Sequence, residues 1–150
     1  MDIKDTFFLN LMNKKFIIIH DSHLKELAKL AICSLPNESC ALLLGKRSDT
    51  KHVVTYILPM NNSSHSSIAF NIDPDDLYKA YNKAKLMKLD IISIFHSHPT
   101  TPIPSETDTI FMLINPVIWI IYSTSLHTFK AYIYDNLDQL REISIRLIKD

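Results

Sequence analysis

Ile91-Ile92-Ser93-Ile94-Phe95-His96-Ser97-His98 leads into Pro99-Thr100-Thr101-Pro102-Ile103-Pro104, and that into Ser105-Glu106-Thr107-Asp108. Ile91 to Phe95 is a short, mostly β-branched apolar run, which reads as a buried strand ending at His96. Six residues separate His98 from Ser105, and three of them are proline, so the connection is short and stiff. Ser105 then opens a helix that continues through Ile114. Strand, stiff loop and helix in succession belong to a mixed α/β fold.

Working outward, Phe16-Ile17-Ile18-Ile19 reads as a strand. Asp21 or Ser22 can cap a following helix whose apolar face is Leu24, Leu27, Ala28, Ala31 and Leu35, and Pro36-Asn37 ends it. Ala41-Leu42-Leu43-Leu44 is a buried strand closed by Gly45, the only glycine, and Val53 to Leu58 is another. A polar loop, Asn61 to Ser67, precedes a short strand around Ile68-Ala69-Phe70. Asp73-Pro74 starts a second helix, with Leu77, Tyr81, Ala84 and Met87 along one face. Val117 to Ser123, Phe129 to Tyr134 and Ile143 to Ile148 supply the remaining strands. No repeat or linker interrupts the chain, so residues 1–150 are expected to form one α/β domain, a mixed β-sheet sandwiched by helices.

With 150 residues, 47% hydrophobic and 21% charged, the chain can bury a core without disulfides or a structural metal. Sixteen basic residues balance sixteen acidic ones, which leaves no field to gather nucleic acid or an anionic membrane. Near-zero net charge weakly favours self-association as a homodimer. Cys33 and Cys40 lack metal-binding spacing and read as free thiols, small buried hydrophobes in a reducing compartment. The first ten residues lack a signal-peptide pattern, and no apolar run approaches the roughly 20 residues of a membrane helix. A cytoplasmic protein is expected.

Two histidines two apart in extended chain point to one side, so His96 and His98 can reach a single metal ion. Asp108 can return to the same point if the proline loop folds back. Two histidines and one carboxylate leave a fourth tetrahedral position open, the pattern of a catalytic zinc site, although iron or manganese also accept such donors. A plainer reading exists for each residue. Histidines at strand ends are often only edge residues, and Ser105-x-x-Asp108 before an apolar run is a capping box. The two readings are compatible, and four such residues within thirteen positions favour the metal. His20, His23, His52, His65 and His127 are scattered and read as surface or edge residues, Trp119 as core, and Ser97 as facing away from its two neighbours.

The order of these residues resembles the JAMM (MPN-plus) metallopeptidases, which carry an upstream glutamate, then His-x-His-Pro, a short loop and Ser-x-x-Asp. Pro36-Asn37-Glu38-Ser39-Cys40-Ala41-Leu42-Leu43-Leu44-Gly45 is similar to the family's glutamate-bearing segment. Pro59-Met60-Asn61-Asn62 and Phe70-Asn71-Ile72-Asp73-Pro74 match its middle section. The loop before Ser105 is six residues where the commonest family form has seven, and Ala41 stands where the family often has glycine. The resemblance implies the MPN (cytidine-deaminase-like) fold and one Zn2+ per chain, held by His96, His98 and Asp108. It makes Glu38 the general acid/base and Ser105 the hydroxyl that stabilises the oxyanion. It also implies a metallopeptidase that cleaves the peptide or isopeptide bond after the tail of ubiquitin or a ubiquitin-like (or sulfur-carrier) protein, most like the small stand-alone prokaryotic members. A non-catalytic scaffold of the same fold, and a DNA-associated relative with a similar His-x-His-Pro motif, are the competing readings.

Overall fold

The structure is a computed structural model that describes residues 2–4, 14–135 and 139–150. From Phe16 onward the order is β1 (Phe16–His20), α1 (Asp21–Ser34), β2 (Cys40–Arg47), β3 (Lys51–Met60), α2 (Pro74–Leu86), β4 (Asp90–His98), α3 (Glu106–Ile114), β5 (Ile118–Ser123), β6 (Thr128–Tyr134) and β7 (Leu140–Ile148). The strands pair in the order β1-β3-β2-β4-β5-β6-β7, and β7 returns to lie parallel to β1. The expected mixed β-sheet is present, but it closes on itself rather than forming a plain layer sandwiched by helices. Closure follows from the mixed pairing: parallel partners at β1–β3, β1–β7 and β4–β5 are joined by antiparallel ones elsewhere.

Helices do lie on both faces. The largest apolar cluster draws Ile17, Leu43, Val54, Phe95, Ile120, Ile133 and Ile143 from all seven strands, and Leu27 and Ala31 of α1 pack into it. On the opposite face Leu42 and Leu44 meet Ala80 and Ala84 of α2, while Trp119 and Ile121 meet Met112 of α3. β2 and β5 are thus covered on both sides, which is why they read as unbroken apolar runs.

Several local expectations change. Neither Asp21 nor Ser22 caps α1; the side chain of Asp150 accepts the Ser22 N–H at 3.1 Å instead, an anion at a helix N-terminus. The buried face of α2 is Ala80 and Ala84, whereas Tyr81 and Met87 are exposed. Cys33 is exposed and only Cys40 is buried, and His52 is buried rather than at the surface. No strand forms at Ile68 to Phe70; the Ala69 carbonyl accepts from the Asn62 side chain and the Ile68 N–H donates to Ser66 Oγ, so these groups bond within the loop. Among the described residues no helix is long and apolar enough to cross a membrane.

Gly45 sits where β2 slips register against β3, and a Cβ there would lie 1.9 Å from the Val53 carbonyl oxygen. Backbone has to move to admit it. Gly45→Ala should cost about 1–3 kcal/mol in a denaturant titration; an unchanged midpoint would contradict this packing.

Candidate metal centre

β4 slips against β2 as well, skipping Ile92 between Leu43 and Leu44. Beyond that slip, alternation places Ile94, His96 and His98 on the face that carries α2 and α3. His96 pairs with Cys40, and Glu38 lies two residues before Cys40, so the strand alternation returns Glu38 to the same face. The proline loop folds back as the sequence requires. Pro102 is fixed by the Tyr132 hydroxyl, which donates to its carbonyl at 2.7 Å, and Thr100 by Ser123 and Ser125. The six-residue loop is long enough: Asp108 reaches both histidines.

Three atoms converge. His96 Nε2 and His98 Nε2 are 2.9 Å apart, and Asp108 Oδ2 lies 3.2 Å and 3.0 Å from them. Donors around one tetrahedral zinc, at bonds of about 2.0–2.1 Å, stand about 3.3 Å from each other. The chemistry of the set, two imidazoles and a carboxylate, fits zinc equally well. His98 Nδ1–H donates to the Thr101 carbonyl at 3.0 Å, which turns Nε2 toward the other two atoms; protonated, Nε2 donates to Asp108 Oδ2, and deprotonated it would offer a lone pair to a metal. Phe70 stacks on the His96 ring at 4.7 Å, with Trp119 edge-on at 5.8 Å, so the ring is held by packing.

Glu38 Oε1 stands 3.8 Å from His98 Nε2. Donor atoms of Glu38, His96 and His98 also lie within 4.8 Å of one another, so Glu38 is an alternative third partner to Asp108. Asp108 Oδ2 approaches both rings more closely than Glu38 Oε1 approaches His98. Glu38 Oε2 is buried without a hydrogen-bond partner among the described residues.

The electrostatics separate the two carboxylates. Burial lifts Glu38 to about 7, with His98 pulling down and Asp108 pushing up. Burial would raise Asp108 too, but hydrogen bonds from His96 and His98 hold it well below the usual carboxylate range. Desolvation lowers His96, which is fully buried. It opposes charge on His98 as well, where the hydrogen bond and charge of Asp108 outweigh it and raise that ring.

Ser105 is the N-cap of α3. Its Oγ accepts the Asp108 N–H at 3.1 Å, and its own N–H donates to Asp108 Oδ2 at 2.8 Å. The capping box and the metal-site reading therefore share Asp108 Oδ2. Trp119 is core, as expected.

Other residues of the site carried no individual signal in the sequence. Asn62 Nδ2 donates to the carbonyls of Glu38 and Ala69 at 3.0 Å each, while its Oδ1 accepts the Asn71 N–H at 3.0 Å. It thereby holds the Glu38 backbone and the segment that carries Phe70. Asn61-Asn62 and Phe70-Asn71 lay in segments that matched the family, yet only the fold shows what they touch. Beyond Phe70 and Trp119, a groove of about 860 Å³ runs between α2 and α3, lined by Leu77, Tyr81, Ile94, Phe111 and Ile114.

Glu38 gives a pH test in the zinc-free protein. Its folded value is raised, so between its ordinary 4.5 and about 7 the folded state keeps a proton that the unfolded chain has released. Rising pH therefore favours unfolding across that window. Wild type should lose stability there relative to Glu38→Gln, measured by denaturant titration at several pH values. Parallel curves would contradict the burial of this carboxylate.

Comparison with known proteins adds to this geometry. Residues 20–133 match the family described as prokaryotic homologs of the JAB domain. A desampylase of Pyrococcus furiosus is 32% identical over 130 residues, covering 86% of this chain and 89% of its own. A desampylase of Haloferax volcanii is 31% identical over 90 residues, 59% of this chain and 63% of its own. Among solved structures, a Desulfitobacterium hafniense protein superposes with TM-score 0.80 at 28% identity, covering 89% of this chain and 94% of that one. A Salinibacter ruber protein, at TM-score 0.67 and 22% identity over 89% and 91%, shares the fold. The chain belongs to the prokaryotic JAB family, within the JAMM group that its motifs resemble.

Proposed function

We propose that the chain is a zinc-dependent isopeptidase that releases a ubiquitin-like modifier, of the Samp or sulfur-carrier kind, from the amine to which its tail is joined. The observation that carries this reading is the buried triangle of His96, His98 and Asp108 with the buried Glu38 carboxyl beside it. The desampylase relatives supply the substrate class, since such an enzyme acts by its name on Samp-modified proteins.

In this reading His96 Nε2, His98 Nε2 and Asp108 Oδ2 hold the metal. A zinc ion bound there would supply the Lewis acidity needed to polarise the scissile carbonyl and make a water nucleophilic. Glu38 does the proton work. Its carboxylate would accept the water's proton and return it to the leaving amine, a role that burial among His98 and Asp108 suits. Its unpartnered Oε2 is free to do so. Ser105, exposed at the mouth of the site, turns its hydroxyl toward the developing oxyanion, while its backbone N–H keeps Asp108 in place. The groove beyond Phe70 and Trp119 offers apolar surface to the body of the modifier. The whole chain, residues 1–150, acts as one catalytic domain. A scaffold of the same fold has no use for a buried, unpartnered carboxylate oxygen beside three converging donors.

Glu38→Gln should retain about one zinc per chain and its fold, yet lose at least about 10²-fold in the cleavage of a Samp-type modifier joined through its C-terminal carboxyl to a lysine side chain. A variant with near-normal turnover would remove Glu38 from the mechanism. His98→Ala should lose the metal and keep most of its stability, because the core does not depend on it. If it failed to fold, the metal would have to be called structural.

A further inference from the structure

Ser97 lies between His96 and His98, and Ser39 directly follows Glu38. The two serines are 2% and 3% exposed. They face one another on the side of the chain away from the metal donors, and three hydrogen bonds join them. Ser39 N–H donates to Ser97 Oγ at 2.9 Å, and Ser39 Oγ–H donates to the same oxygen at 2.9 Å. Ser97 N–H donates to the Ser39 carbonyl at 3.1 Å. The last bond extends the β2–β4 ladder past the Cys40–His96 pair, whereas the first two exist only because residue 97 carries a hydroxyl.

The Glu38 side chain has little else to aim it. Oε2 has no hydrogen-bond partner among the described residues, and Oε1 is 3.8 Å from His98 Nε2. What fixes the carboxylate is its backbone. On one side Glu38 N–H donates to the Ser66 carbonyl at 2.7 Å, and the Glu38 carbonyl accepts from Asn62. On the other side Ser39 is fixed by Ser97. The side chains of residues 38 and 39 point to opposite faces, so the direction of one sets the direction of the other.

We infer that Ser97, through Ser39, is a positioning residue that holds the Glu38 carboxylate at a fixed distance from the His96–His98 donors. The inference rests on the isopeptidase reading, in which Glu38 carries the proton. The strand that presents the metal donors and the segment that presents the base are thereby one rigid unit. Ser97→Ala leaves the buried Ser39 N–H without its acceptor, so the segment relaxes away from β4. A shift of about 1 Å in a group that must meet a reacting atom costs on the order of 10²-fold in rate.

The test uses the zinc-loaded full chain and the Samp-type conjugate with a lysine amine described above. Ser97→Ala should keep about one zinc per chain and an unchanged KM, while kcat falls about 10- to 100-fold. Amide hydrogen exchange read by NMR should show the Ser39 N–H losing protection about tenfold or more, a change that does not depend on activity. Ser97→Thr, which keeps the hydroxyl, should restore both. Ser39→Ala removes only the bond between the two hydroxyls and should give a smaller loss of kcat, which keeps the test decisive if Ser97→Ala folds poorly. Loss of Ser39 protection with full kcat would overturn the inference, as would a loss of zinc that accounts for the lost activity. A zinc-loaded wild type that cleaves no such conjugate would overturn the isopeptidase reading, and the positioning role with it.

Discussion

One oxygen atom, Asp108 Oδ2, ties together the parts of this molecule that carry chemistry. It lies within 3.2 Å of both histidine Nε2 atoms and accepts the Ser105 N–H at 2.8 Å. A buried carboxylate is costly unless its lone pairs are met, and here the two rings and a helix N-terminus meet them. That requirement fixes how far the proline loop must return, where α3 begins and which way its first turn faces. The capping box and the metal-site reading of Ser105-x-x-Asp108 therefore share one arrangement.

Gathering Glu38, His96, His98 and Asp108 in one buried place opposes stability, since two carboxylates and two imidazoles prefer water. The closed sheet offsets this cost elsewhere. Every strand contributes to the cluster around α1, and β2 and β5 are covered on both faces. The site sits at the end of β4, outside that cluster, where strain or hydration can be accommodated without opening the core. Such a division, with stability in one place and unfavourable chemistry in another, is how active sites are commonly supported.

The sequence revealed much of this. The His96/His98 spacing and the Ser105/Asp108 pair were legible because a two-residue strand period and a helix-capping pattern are local signals. Glu38 was visible only through the family resemblance, since it reaches the site through the register of β2 against β4. Sheet closure was hidden for the same reason: the β1–β7 pairing joins residues far apart in the chain, and no local pattern encodes it. The apolar residues of Ile68 to Phe70 read as a strand, but Asn62 and Ser66 take the Ala69 carbonyl and the Ile68 N–H, and the Phe70 ring stacks on His96. In α2 the apolar pattern points to the large Tyr81, whereas close packing against Leu42 and Leu44 admits the small Ala80 and Ala84. Ser97 was expected to face away from its neighbours, and nothing local indicated that Ser39 would meet it there.

The proposed chemistry requires that His96, His98 and Asp108 bind one metal ion. Native mass spectrometry of the full chain, after zinc is supplied and free zinc removed, tests it directly beside the His96→Ala/His98→Ala double variant. About one zinc per wild-type chain, absent from the double variant, is the predicted result. A folded wild type that retains no zinc, or a double variant that retains as much as wild type, would contradict the account.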